Sequence, residues 1–142
     1  AWKRAAGRVL ERVVPRVRLP AELSADALTS DPERQRAWLA DPLVQQRVTP
    51  RLFYEALRAQ RAALAAGASA IAVPVLLLVP LDDPLVDPAV TLTFAGEPPP
   101  RGLTVAPLEG LRHEPHNETE RARAFAAAQV WWRGTFPTLS AS

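Results

Sequence analysis

The sequence predicts an α/β fold, in which parallel strands alternate with helices, with a helical region before the first strand. The run Val73–Val79 is apolar without polar alternation, as in a parallel strand that is covered on both faces, and Asp82 and Asp83 follow it. Further along the chain, Leu103–Leu108 forms a second short apolar run, with His113 a few residues after it. An acid and a histidine therefore each follow a predicted strand.

The composition excludes several classes of protein. The chain has 142 residues, which suits one domain or part of a larger one, and it has no cysteine and two histidines. Disulfide frameworks and thiolate metal sites are therefore excluded, and a zinc site is not favoured. The longest uncharged apolar run, Ala68–Leu81, is too short for a membrane-spanning helix. We expect no metal, no cofactor and no nucleic-acid partner, and a cytoplasmic location with or without peripheral membrane contact.

The N-terminal segment is basic. Residues 2–14 are predicted to form an amphipathic helix that ends at Pro15, with three arginines at i, i+4 spacing along one side. Residues 1–20 carry six basic side chains against Glu11, a local charge of +5 in a chain whose net charge is +2. Two interpretations stay open, namely a surface that lies on anionic lipid and an ordinary solvated helix face.

Two more helices are predicted before the first strand. Asp31-Pro32 combines an N-cap with a proline at the first helical position, which starts a short helix that reaches Ala40. Thr49-Pro50 starts a longer helix to about Ala66, with Gly67 as its C-cap. The apolar face of the longer helix is open to two interpretations, core packing and the lining of a pocket.

The remaining helices follow the strands. Pro88–Ala95 is predicted as a short helix between the two strands, and Glu118–Arg133 as the last helix, capped by Asn117 or Thr119. Two parallel strands joined through a helix form a βαβ unit, and their carboxyl ends lie at the same edge of the sheet. The acidic pair and the histidine loop are therefore expected to meet there.

A carboxylate beside a histidine has one common catalytic use. The carboxylate holds the imidazole in one tautomer and stabilises the imidazolium, while the histidine takes a proton from a nucleophile. The alternative is structural: Asp-Asp-Pro is ordinary turn material, and His113 would be a loop residue hydrogen-bonded to Glu114.

Six segments, in the same order along the chain, carry a pattern that covers most of it. They are Ser30-Asp31-Pro32, Asp41-Pro42-Leu43-Val44, residues 49–57, residues 74–78, Asp83-Pro84-Leu85-Val86-Asp87-Pro88 and His113-Glu114-Pro115-His116-Asn117-Glu118. Together they resemble the α/β-hydrolase superfamily, in particular its monoacylglycerol lipase and lysophospholipase-like serine hydrolases.

The resemblance implies a division of the chain and a mechanism. Residues 1–68 would be the helical cap, or lid, and residues 69–142 the C-terminal portion of the α/β-hydrolase core. Asp83 would be the acid and His113 the base of a Ser-Asp-His triad that cleaves carboxylic esters, with a monoacylglycerol- or lysophospholipid-like substrate. The basic N-terminal helix would then make peripheral membrane contact.

The chain also departs from the family pattern. The nucleophile elbow, Gly-x-Ser-x-Gly, is absent, and the nearest string places Ser69 before a strand instead of after one. We therefore expect a fragment that is inactive alone and whose serine lies outside this sequence. The turn Val79-Pro80-Leu81-Asp82 lacks the family's usual glycine, which leaves open whether Asp82 or Asp83 is the triad acid.

Two other functions remain open. The chain could be a non-catalytic interaction or lipid-binding module in which the acid and the histidine are incidental. It could also belong to a relative with a different reaction, such as an epoxide hydrolase or a haloperoxidase, because the same acid and base serve several nucleophiles.

Overall fold

The computed structural model describes residues 11–21 and 23–137. The described chain divides into two compact units. One comprises the residues up to Leu23 together with Asp41–Ala66, and the other comprises Ser24–Ala40 together with the chain from Gly67 onward. Ser24–Ala40, which the family resemblance places in the cap, lies in the same compact unit as the chain from Gly67 onward. The division into cap and core at residue 68 stays a prediction.

The first unit contains a short antiparallel pair and a long helix. Strand β1 (Leu19–Pro20) pairs with β2 (Arg47–Val48), and the amide of Ala21 extends the pair through a 2.9 Å hydrogen bond to the carbonyl of Gln46. Residues 11–13 are helical and Val14 is not, so the helix ends one residue earlier than predicted, while residues 2–10 lie outside the described residues.

The long helix of the first unit has the bounds that the sequence predicts. The Thr49 hydroxyl accepts a hydrogen bond from the amide of Leu52 at 3.1 Å, and Pro50 occupies the first helical position. This helix runs over Pro50–Ala66 and is followed by Gly67 at φ +72°, a left-handed conformation that suits glycine. Much of the apolar face of this helix is exposed, with Phe53 at 50%.

The second unit begins with two helices. Helix α1 (Ala25–Leu28) is a single turn that the sequence did not predict, and helix α2 (Pro32–Ala40) is the predicted short helix. The carboxylate of Asp31 caps α2 by accepting from the amide of Glu33 at 2.9 Å. In chain order, the helix over Pro50–Ala66 is α3.

A two-stranded parallel sheet forms the centre of the second unit. Strand β3 (Val75–Pro80) pairs with β4 (Leu103–Leu108) over the full length of both, from Val75 opposite Leu103 to Pro80 opposite Leu108. Both predicted strands are confirmed. Val79 and Pro80 are buried, whereas the preceding residues of β3 are half-buried, so the expected cover on both faces is partial within the described chain.

Helices lie against both faces of this sheet. Helix α4 (Pro88–Ala95) begins where Asp87 accepts the amide of Ala89 at 2.9 Å, and its residues Phe94 and Ala95 pack with Leu77. The opposite face packs against helix α5 (Ala122–Thr135). There Ala124 forms a cluster with buried Leu108 at the end of β4, buried Leu111 in the loop after it, and half-buried Leu78. The crossover between the strands is therefore a βαβ unit, as predicted.

The start of α5 corrects the prediction. The helix begins at Ala122, not at Glu118, and neither Asn117 nor Thr119 is its N-cap. Residues Pro115–Asn117 form a 3₁₀ turn instead, and the Glu118 side chain bonds to a distant segment. Within the described residues, no helix is long and apolar enough to span a bilayer.

Candidate active site

The loops that follow the two strands are joined at the carboxyl edge of the sheet. The amide of Leu81 donates to the carbonyl of Leu108 at 3.0 Å, which continues the ladder beyond β3. The amide of Asp82 donates to the carbonyl of Leu111 at 3.2 Å. Because Leu111 is almost fully buried, with 1% exposure, these bonds fix both loops to the core.

Asp83 and His113 are in direct contact at this edge. The Oδ2 atom of Asp83 lies 2.8 Å from Nδ1 of His113. The other carboxylate oxygen, Oδ1, accepts the amides of Leu85 at 2.8 Å and Val86 at 3.1 Å, which closes a turn around the aspartate. The carboxylate therefore has a fixed orientation, with one oxygen committed to the backbone and the other to the imidazole.

The two side chains differ in their access to solvent. The Asp83 side chain is 7% exposed, whereas that of His113 is 36% exposed. The aspartate thus lies behind the histidine, which occupies the outer position. Because Nδ1 is engaged by the carboxylate, Nε2 is the ring nitrogen that can exchange a proton with a further group.

The environment of Asp83 favours its ionised form. Burial by itself raises the pKa of this carboxyl, but the hydrogen bond from His113 and those from the Leu85 and Val86 amides outweigh it and hold the pKa below its ordinary value. With the carboxylate ionised, Nδ1 of His113 must carry the proton in the bond between them. This fixes the neutral imidazole in the tautomer whose Nε2 is a proton acceptor.

The other sequence candidates lie apart from this pair. Asp82 has an exposed side chain, so the contact with the histidine belongs to Asp83. Ser69 is exposed in a 3₁₀ turn that precedes β3, whereas the pair lies beyond the other end of that strand. Glu114 accepts the side-chain amide of Asn117 at 2.7 Å, so the structural alternative of a His113–Glu114 bond does not describe this loop.

Sequence reasoning missed the residues that support the histidine loop. The sequence predicts Glu118 at the start of the last helix, yet its carboxylate accepts from the amides of Ser30 and Arg112, each at 3.0 Å. Both Ser30 and Glu118 stand in motifs that carry the family resemblance, which was the available signal, but nothing in local periodicity joins them.

In the described ranges, 11–21 and 23–137, no three histidine or acidic side chains come together as metal ligands. An apolar groove of about 640 Å³ lies between β3 and α5, lined by Leu76, Phe125, Trp131 and Trp132 among others. Neither member of the Asp83–His113 pair lines it.

Comparison with known proteins identifies the family. The Hydrolase_4 family, described as serine aminopeptidase S33, matches residues 1–120. The chain belongs to this family. Membership in Hydrolase_4 confirms the resemblance to α/β hydrolases that the motifs indicated.

Relatives of known structure and name agree with this family. The chain is 28% identical over 126 residues to phospholipase YtpA of Bacillus subtilis (strain 168), covering 89% of this chain and 49% of that protein. The crystal structure of Paleococcus ferrophilus monoacylglycerol lipase superposes with a TM-score of 0.80 at 27% identity, covering 93% of this chain and 51% of that one.

A second solved structure supports the fold alone. A soluble variant of monoglyceride lipase from Saccharomyces cerevisiae, in complex with a substrate analogue, matches with a TM-score of 0.72 at 20% identity and covers 91% of this chain and 44% of that one. The chain thus spans about half the length of the relatives it matches. Its fold is the C-terminal part of an α/β hydrolase.

Proposed function

We propose that this chain supplies the acid and the base of a serine ester hydrolase, with Asp83 as the orienting acid and His113 as the general base. The observation that carries the proposal is the 2.8 Å contact between Asp83 Oδ2 and His113 Nδ1 beyond the carboxyl ends of two paired parallel strands. The nucleophile would be a serine in a Gly-x-Ser-x-Gly turn, a string that does not occur in the 142 residues.

The chemistry follows from the orientation of the imidazole. Nε2 of His113 would take the proton of the serine hydroxyl as its oxygen attacks the ester carbonyl, and Asp83 would stabilise the imidazolium that forms. The imidazolium would then give this proton to the departing alcohol, leaving an acyl-serine. A water molecule, deprotonated by the same Nε2, would then attack the acyl-serine. The imidazolium would give this proton to the departing serine oxygen, which releases the fatty acid and restores both the serine hydroxyl and the neutral imidazole.

The substrate class is inferred from the relatives. A monoacylglycerol lipase and a phospholipase both match about nine-tenths of this chain, which favours a carboxylic ester of a fatty acid, of the monoacylglycerol or lysophospholipid kind. No step of this mechanism needs a cofactor.

Contact with a membrane surface would accompany such a substrate. The first unit contains ten basic side chains against four acidic ones and exposes Leu43, Leu52 and Phe53. Basic side chains near large exposed apolar ones are typical of proteins that bind anionic lipid. We assign this peripheral contact to the first unit, which includes most of the predicted cap.

Ester hydrolysis tests the proposal in two settings. The chain alone should not hydrolyse p-nitrophenyl butyrate or decanoate above the buffer rate, because it lacks the serine elbow. In a longer protein that joins this chain to a Gly-x-Ser-x-Gly segment, Asp83→Asn and His113→Ala should each lower kcat/KM by roughly 10⁴-fold. Asp82→Asn is the matched control and should change it little.

Three outcomes would contradict the proposal. If the chain alone hydrolyses an ester and Ser69→Ala abolishes this turnover, Ser69 is the nucleophile and the proposed serine elbow outside this sequence is wrong. Full activity of His113→Ala in the longer protein would remove the triad. Faster turnover of an aminoacyl p-nitroanilide than of either ester would replace ester cleavage with the peptidase activity that the family description names.

A further inference from the structure

Glu118 is a buried carboxylate in the loop between His113 and α5. Its residue exposure is 1%, the lowest of any acidic residue in the described chain. The amide of Ser30 lies 3.0 Å from both carboxylate oxygens, and the Ser30 hydroxyl donates to Oε2. The amide of Arg112 donates to Oε1 at 3.0 Å. One carboxylate therefore joins two segments that are distant in the sequence.

Hydrogen bonds hold the residues on both sides of His113. Arg112, which Glu118 holds, is the residue immediately before His113. The residue immediately after it, Glu114, donates its amide to the carbonyl of Leu28 at 2.8 Å. Both peptide neighbours of His113 are thus fixed through Glu118 and the Leu28–Ser30 segment, which we call the histidine clamp.

A further hydrogen bond closes the clamp. The Thr29 hydroxyl donates to the carbonyl of Asn117 at 2.9 Å, and Thr29 is itself buried, with 2% exposure. The clamp therefore has contacts at residues 112, 114, 117 and 118 of the histidine loop. A loop with four fixed positions around one imidazole has little freedom to change the direction of that ring.

The hydrogen bonds at position 118 require a carboxylate. A buried carboxylate costs free energy unless its oxygens are well hydrogen-bonded, and an apolar side chain would suit the core better. Glutamine has nearly the same shape, but its NH₂ group would face an amide or hydroxyl donor, since three donors converge on Glu118. The position thus suits an acceptor at both oxygens, which only the acid provides.

We propose that Glu118 is a positioning residue for His113, and that through the histidine clamp it holds the imidazole in the orientation and tautomer in which Nδ1 donates to Asp83. The catalytic meaning of this role rests on the proposed function, because the orientation matters for activity only if His113 is the general base. The clamp itself is a property of the fold and can be measured without any activity.

The test is ¹⁵N and ¹H NMR of the His113 imidazole in the full chain. Wild type should show the single tautomer with the proton on Nδ1 and slow exchange of that proton with water. Glu118→Gln should introduce the second tautomer and speed this exchange by about tenfold or more, because a charge-assisted acceptor of two amides is lost. The Arg112 and Ser30 amides should lose protection by a similar factor.

Two control variants separate positioning from general stability. Glu120→Gln removes an exposed carboxylate two residues away, whose partner is Arg123 at 3.0 Å, and should leave the imidazole signals unchanged. Asp87→Ala weakens the cap of α4, away from the clamp, and should lower stability without a tautomer change. If Glu118→Gln does not fold, Ser30→Ala, which deletes one donor to Oε2, should give a smaller change of the same kind.

If Glu118→Gln folds and its tautomer and exchange rate are unchanged, the proposal is wrong. If Glu118→Gln does not fold, a Ser30→Ala variant with no effect on the His113 imidazole would overturn the proposal in its place. Failure of the proposed function gives a different result. The NMR changes would then be present, while a longer protein with the serine elbow would show no ester turnover that depends on His113. If the positioning role of Glu118 and the proposed function are both correct, Glu118→Gln in that longer protein should lower kcat with KM nearly unchanged.

Discussion

The carboxylate of Asp83 receives three hydrogen bonds, two from the backbone and one from the imidazole. The two backbone hydrogen bonds come from the local turn Asp83-Pro84-Leu85-Val86, so they orient the carboxylate independently of His113. The histidine adds the third hydrogen bond, and although burial raises the pKa of the carboxyl, the three bonds together hold this pKa below its ordinary value. The local turn therefore orients Asp83, and His113 is its one long-range partner.

The lowered pKa of Asp83 predicts how the pair responds to acid. A carboxyl group whose pKa is lower in the folded chain stabilises the fold fully above its ordinary value of about 3.9, and this contribution is lost as pH falls through the lowered folded value. A ¹³C titration of the Asp83 carboxyl should therefore have its midpoint below about 3.9. His113→Ala should raise that midpoint, and a wild-type midpoint at or above the ordinary value would contradict the geometry.

The sequence is informative about this pair and silent about its support. Asp83 and His113 can be predicted because each follows an apolar strand, and chain order alone brings parallel strand ends together. Glu118 cannot be predicted in this way, because its partner Ser30 lies 88 positions earlier in the chain. No local pattern encodes such a contact, which arises only when the segment before α2 packs on the histidine loop.

At the scale of elements, helix starts are encoded by their first residues. Helices α2, α3 and α4 all begin with a proline that follows an aspartate or a threonine, and each starts where the sequence predicts. Helix α5 lacks this signal. Its predicted cap Asn117 donates its side chain to Glu114, and Glu118 is held by Ser30, so the helix starts four residues later than predicted.

The cap of α4 gives a prediction at this scale. Asp87→Ala removes the oxygen that accepts the Ala89 amide and should lower the free energy of unfolding by about 1 kcal/mol, measured by urea denaturation. Asp87→Asn keeps a side-chain oxygen and should cost less than about 0.5 kcal/mol. Equal losses in the two variants would mean that the charge, and not the cap bond, stabilises this helix.

At the scale of the whole molecule, the two compact units differ in charge. The first unit has ten basic side chains against four acidic ones, and the second has seven against eleven. A net charge of +2 for the chain hides this difference. The basic character can be recognised from the sequence, but the membership of Ser24–Ala40 cannot, because its contacts with the histidine loop are long-range.

The charge of the first unit predicts selective binding to anionic vesicles. At roughly 1 kcal/mol for each basic side chain near the lipid surface, Arg47→Glu with Arg61→Glu should weaken binding to phosphatidylserine vesicles at least tenfold. The same double reversal at Arg34 and Arg101, which are exposed in the second unit, is the matched control. Sedimentation with vesicles at low and high salt measures this, and equal binding to pure phosphatidylcholine would contradict it.

The histidine clamp also has a consequence for the order of folding. The Asp83–His113 contact closes a loop of 30 positions, whereas the bonds between Ser30 and Glu118 close one of 88. Loop-closure entropy makes the longer loop costlier by about 1 kcal/mol, before any strain is counted. During synthesis Ser30 also emerges long before Glu118. We expect His113 to meet Asp83 early and to become rigid late, when the two distant segments finally join.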